Sequence, residues 1–114
     1  MRWAIPLLLA GLAATPAAAE QYWTTAPITA VSAVAKDDKY PQYSDVIYIG
    51  FGDKAWLPER CRKAPGLLAD AADKALLTLA LAALAHGRPV DIKAEDGRMI
   101  GDYCRVFQIT LHAP

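Results

Sequence analysis

The chain lacks any excess of basic residues: 12 Lys+Arg stand against 12 Asp+Glu, for a formal net charge of +0. Surfaces built to bind nucleic acid or anionic membranes are normally clearly basic, so the balance argues against both partners. Cysteine is scarce, with two in 114 residues and no C-x-x-C spacing. Two thiols without a neighbouring histidine do not form a structural zinc site. Serine, a candidate nucleophile, is equally scarce. Ser32 and Ser44 are the only ones, and neither sits in G-x-S-x-G. The Glu95-Asp96-Gly97 segment with Asp102 lacks the spacing of a calcium loop. His86 lies at the end of an apolar-rich segment, where a helix terminus favours a cation, and His112 is expected to fray near the chain end. No catalytic group, cofactor site or metal site emerges, and the protein is expected not to be an enzyme. With 54% hydrophobic and 21% charged residues, the chain is not of disordered composition, and its length allows one domain.

What is present begins with an address. Arg2 gives a positive start, Ala4 to Ala14 form a short apolar stretch, and Ala17-Ala18-Ala19 supply the small residues of a cleavage site before Glu20. The run is too short to span roughly 30 Å of hydrocarbon, and Pro6 and Pro16 bracket it. Residues 1–19 therefore read as a signal peptide and residues 20–114 as a single domain, periplasmic or secreted. Removing the leader leaves 11 Lys+Arg against 12 Asp+Glu, a charge of −1. The mature chain has no apolar run of membrane-spanning length.

Export changes the meaning of Cys61 and Cys104. In an oxidising compartment, two cysteines in a small domain are expected to form a disulfide. The bond would bring their Cα atoms to about 5.5–6 Å.

Residues 20–26 read as an N-terminal arm. Ile28 to Ala35 and Ser44 to Phe51 read as strands joined across the polar turn 36–41, and Gly50 and Gly52 suggest a bulge or bend. Pro58 opposes a central strand early in the next segment, and a short strand is expected around Arg60-Cys61-Arg62. Leu67 to His86 predicts a helix, with Asp70 and Asp73 in its first turns, Gly87 past its end and Pro89 blocking continuation. Arg88 to Lys93 alternates as a strand. Residues 94–102 read as a Gly-containing connection. Tyr103 to His112 reads as a last strand apolar on both faces, which implies cover on both.

The helix carries a core stripe of Leu68, Ala72, Leu76, Leu79 and Ala83. Leu77, Leu81 and Leu84 continue along the opposite face, where polar residues are expected. That second row predicts a subunit interface, and hence a homo-oligomer.

The expected fold is mainly β with one long helix (α+β): a five-stranded OB-type barrel in the order β-β-β-α-β-β with one disulfide. An open α+β sheet bearing one helix is the alternative. The segment from Leu79 to Ile92, a helix followed by Gly87-Arg88-Pro89-Val90 and a strand, resembles the pentameric B subunits of subtilase-cytotoxin and pertussis-like bacterial toxins and related small secreted proteins. The resemblance covers Ala72 to His112. It implies rings of stapled OB barrels with helices lining the central hole, and glycan recognition on the barrel surface. The chain departs from the toxin pattern in having a single disulfide and no polar cluster that aligns with a sugar pocket.

Aromatics gather in the N-terminal half: Tyr22, Trp23, Tyr40, Tyr43, Tyr48 and Trp56. An aromatic face can stack on sugar C–H groups, which makes Tyr43 and Trp56 candidate ligand contacts. The expected function is a self-associating, non-enzymatic binding domain with a glycan or protein ligand, no nucleic acid, and no membrane after leader removal. The competing reading is a monomeric periplasmic structural or inhibitor-like protein acting through its loops.

Overall fold

The computed structural model describes residues 20–114, so the expected signal peptide at 1–19 lies outside the described residues. The domain is mainly β. Strands β1 (Gln21–Val34), β2 (Val46–Phe51), β3 (Leu67–Asp70), β4 (Pro89–Ile100) and β5 (Tyr103–Thr110) close in the order β1-β2-β3-β5-β4. Two helices interrupt them, α1 (Glu59–Arg62) and α2 (Lys74–His86).

β1 is long because it serves two partners. Gln21 to Pro27 pair antiparallel with Glu95 to Pro89 of β4, and Ile28 to Val34 pair with Phe51 to Val46 of β2. The expected N-terminal arm is thus half of a strand: alternation of half-buried Tyr22, Thr24 and Ala26 with exposed Gln21, Trp23 and Thr25 fits a two-residue period. The switch sits at Pro27, which faces Pro89, followed by a bulge between Ile28 and Ala30. The extra residue, Thr29, turns the strand over, so Ile28 and then Val31 face the core. The bulge lies across from Gly50 and Phe51, on the strand opposite the glycines.

A second bulge explains the apparent two-sidedness of β5. Lys93 pairs with Gln108 but Ala94 pairs with Val106, leaving Phe107 extra. Inward positions therefore change from even (Cys104, Val106) to odd (Ile109), each fully or nearly buried. Phase reversal makes both sequence positions apolar, where the pattern alone implied cover on both faces.

Two further expectations are corrected. Arg60-Cys61-Arg62 belongs to helix α1, not to a strand; Pro58 opens it as N-cap and Cys61 N–H donates to Pro58 O at 2.9 Å. The third strand lies instead at Leu67–Asp70, so α2 starts at Lys74 rather than Leu67. Leu67 and Ala69 fill the core from β3, Asp70 ends that strand, and Asp73 is the N-cap. High helix propensity over 67–70 loses to pairing with β2, from Ile49↔Leu67 to Val46↔Asp70. The helix ends as expected, with Gly87 left-handed at φ 65° and its N–H bonded to Ala83 O.

The core joins Ile47, Ile49, Leu67, Ile92 and Val106 from the strands to Ala80 and Ala83 of α2. The disulfide Cys61–Cys104 lies inside it, both residues fully buried, with Cα atoms 5.4 Å apart. No described helix is long and apolar enough to cross a membrane.

Candidate functional site

The outward face of the sheet is built by the residues that alternate with the core positions of the same strands. β2 sends Ile47, Ile49 and Phe51 inward, so Val46 and Tyr48 face outward. Register places Tyr48 between Ser32 of β1 and Leu68 of β3, with Val34 beside Val46. Leu68 and Val46 are buried yet stand apart from the inner core. Their cover is aromatic: Tyr43, Tyr48 and Tyr103 line a surface cleft of about 320 Å³ with Ser32, Val34, Val46 and Leu68.

Tyr43 arrives from outside the sheet. A 3₁₀ turn over Pro41–Tyr43 carries it, closed by Tyr43 N–H to Tyr40 O at 2.9 Å. The preceding loop is fixed by its own polar groups. Asp37 Oδ1 accepts from the N–H groups of Lys39 and Tyr40, and Ser44 Oγ accepts from Asp37 N–H. The Tyr43 ring meets Tyr103 edge-on at 5.7 Å, and Tyr103 meets Tyr48 edge-on at 6.3 Å. Tyr40, half-exposed, continues the row at 6.5 Å from Tyr43. Such spacings are those of favourable aromatic pairs.

Two glycines make room for these rings. A Cβ on Gly101, which has φ +58° in the β4–β5 turn, would lie 2.8 Å from Tyr43 Cζ. A Cβ on Gly66 would lie 2.8 Å from Tyr48 Cε1. Tyr48 Oη donates to Pro65 O at 3.2 Å. Burial, then the neighbouring Tyr43 and Tyr48 phenols and the Asp102 carboxylate, push the Tyr103 phenol above its ordinary pKa. The cleft thus has an apolar floor, phenolic walls and no charged side chain among its lining residues.

Trp56 is placed elsewhere. It is half-buried, packs 5.4 Å from Phe51, and donates Nε1–H to Asp53 O at 3.0 Å. It is not among the residues of the Tyr43 cleft, so the two aromatic candidates are not brought together. Of the helix row, Leu77 is half-buried against the core, whereas Leu81 and Leu84 are 49% and 38% exposed. His112 is held, with Nε2 2.7 Å from Asp91 Oδ2. That bond first, and the Thr25 hydroxyl second, hold the Asp91 carboxyl below its ordinary value.

A second cleft of about 320 Å³ lies where α2 begins, between Asp73, Leu76, Glu95, Arg98, Arg105 and Phe107. Arg105 Nη2 is 3.2 Å from Asp73 Oδ2. Two cations and two anions balance there, so it offers no field of one sign.

Sequence reasoning missed one site, at Asp96. The alternation of Val90, Ile92 and Ala94 continues past the expected connection, and β4 points Asp96 inward as well. Its side chain is 5% exposed. Oδ2 lies 2.7 Å from Arg60 Nη2 and accepts from Tyr22 Oη at 3.4 Å, while Oδ1 accepts from Glu20 N–H at 3.3 Å. The V-x-I-x-A-x-D spacing is the signal that was available; Gly97 drew the reading toward a turn. No group of three or more His, Cys, Asp or Glu poised for a metal lies among the described residues.

Comparison with protein-family models, with curated proteins and with solved structures gives no match to this chain.

Proposed function

We propose that the protein is an exported, non-enzymatic binding domain of OB type, and that its tyrosine cleft takes a neutral ligand with one apolar face and several hydroxyls, as a sugar ring has. The observation that carries this reading is the uncharged cleft between Tyr43, Tyr48 and Tyr103. Phenol rings offer both a surface for C–H groups and hydroxyls for hydrogen bonds. A protein that merely needed a covered sheet could use aliphatic side chains there.

The test is a glycan array followed by titration of any neutral hit. Tyr43→Ala and Tyr103→Ala should each weaken binding at least tenfold, while Trp56→Ala should leave it unchanged. No neutral glycan bound, or binding indifferent to the two tyrosines, would defeat the proposal.

Self-association is the second part of the reading, supported by the exposure of Leu81 and Leu84 on a helix with few polar residues. Light scattering at micromolar concentration should give an oligomer that Leu81→Glu and Leu84→Glu together convert to a monomer. A wild-type monomer would favour the competing reading, a periplasmic structural or inhibitor-like protein acting alone.

A further inference from the structure

Asp96 is the one buried charged residue among those described. Its two oxygens are unequally served. Oδ2 takes the Arg60 guanidinium and the Tyr22 hydroxyl, but Oδ1 has the backbone nitrogen of Glu20 at 3.3 Å as its one protein donor among the described residues. Glu20 adds a second carboxylate, whose Oε2 lies 3.0 Å from the same Tyr22 oxygen and competes with Asp96 Oδ2, at 3.4 Å, for its one proton. The cation paired with Asp96, Arg60, is itself largely exposed, and no ion pair to Glu20 joins it among the described residues. A buried carboxylate is stabilised when its remaining lone pairs meet a charged donor. The nitrogen beside Oδ1 is the one that would become an α-ammonium if the chain began at Glu20.

We propose that Asp96 is the receptor for the amino terminus released by hydrolysis of the Ala19–Glu20 bond. Water adds its hydroxyl to the Ala19 carbonyl carbon and its hydrogen to the Glu20 nitrogen, and the amine takes a further proton from solvent near neutral pH. The resulting ammonium offers three donors where the amide offered one, and brings the local charge of Asp96, Glu20 and Arg60 to zero. Gln21 pairs with Glu95 at the next position, so the ion pair locks the first residue of β1 onto β4. Leader removal then completes the fold at the edge where the chain starts. The cleavage itself rests on the export reading; the Asp96 pairing can be tested apart from it.

Intact mass of the exported protein should correspond to a chain starting at Glu20. A different start overturns the assigned cleavage bond, and a retained leader overturns export by cleavage as well. Separately, a chain starting at Glu20 is compared with one that keeps Ala18 and Ala19, each with Asp96 or with Asp96→Asn. The extra residues should lower the unfolding midpoint by about 4–8 °C with Asp96 present and by much less with Asp96→Asn. Equal loss in both backgrounds overturns the pairing. Because Asp96→Asn can fail to fold, acylation of the α-amine at neutral pH gives an independent readout on native side chains. The Glu20 amine should react about three- to tenfold more slowly than the amine of the longer chain, and equal rates overturn the proposal.

Discussion

Reducing the Cys61–Cys104 bond is the most telling perturbation of this fold. The cysteines are 43 positions apart, so the bond closes a loop of 44 residues counting both ends. Loop-closure entropy for that length gives about 4 kcal/mol. A domain of this size has a total stability of roughly 5–14 kcal/mol, so the cross-link is a large part of it. At about 4–8 °C per kcal/mol, the midpoint should fall by about 15–30 °C. The clean comparison is oxidised against reduced wild type, because the side chains are otherwise the same. Both sulfurs sit in fully buried residues, so reduction needs denaturant and TCEP, followed by refolding in reductant. Circular dichroism follows unfolding, and amide exchange locates the loss. Protection should fall first at Leu67–Asp70, since a single registered pair, Leu68↔Arg105, ties β3 to β5. Midpoints within about 5 °C of each other, or uniform loss of protection, would refute the reasoning.

Gly101→Ala should destabilise by more than Gly87→Ala, as measured by urea unfolding. Both glycines have positive φ, worth about 1 kcal/mol each, but an added Cβ meets nothing at Gly87 and runs into Tyr43 at Gly101. In an alkaline titration followed by phenolate absorbance, Tyr22 and Tyr103 should ionise above the ordinary phenol value. Tyr22 is pushed up first by desolvation and then by Glu20 and Asp96, and Tyr103 by burial and then by Tyr43, Tyr48 and Asp102. Folded values above the unfolded value of 10.0 mean that this contribution to stability is whole below pH 10 and is lost as pH rises through the folded values. Ionisation of Tyr22 and Tyr103 at the ordinary phenol value, identified by the signals lost in Tyr22→Phe and Tyr103→Phe, would contradict it.

The sequence made the helix end, the second half of the first strand, the second strand and the disulfide legible because each rests on local chemistry: Gly87 before Pro89, β-branched runs around a polar turn, and two cysteines in a small domain read as exported. It obscured elements whose state is decided at a distance. Leu67–Asp70 has the composition of a helix and is a strand because β2 needs a partner. Residues 20–26 look like an arm until β4 is there to pair with them. Bulges at Thr29 and Phe107 each break the two-residue period, and a phase reversal cannot be told from a two-sided strand without the register. The site was half visible for the same reason. Tyr43 was found as an aromatic, but Tyr103, its edge-on partner, comes from the far end of the chain.

The position of the cross-link makes sense once the sheet is seen as a circuit with one weak seam. Antiparallel neighbours β1, β2, β4 and β5 share long ladders, whereas β3 meets β5 in parallel and briefly. Parallel pairing over so short a stretch supplies little to hold a curved sheet closed. Side chains do the closing instead. Cys104, next to Arg105 at the seam, is bonded to α1 just before β3. Arg105 itself reaches Asp73, just after β3, at 3.2 Å. The two links flank β3 in the chain and both return to β5. The tyrosine cleft touches the same seam, because Leu68 of β3 lines it together with Tyr48 of β2 and Tyr103 of β5. A ligand that bridges those rings would therefore bear on closure through Leu68, the residue that the cleft and the seam share.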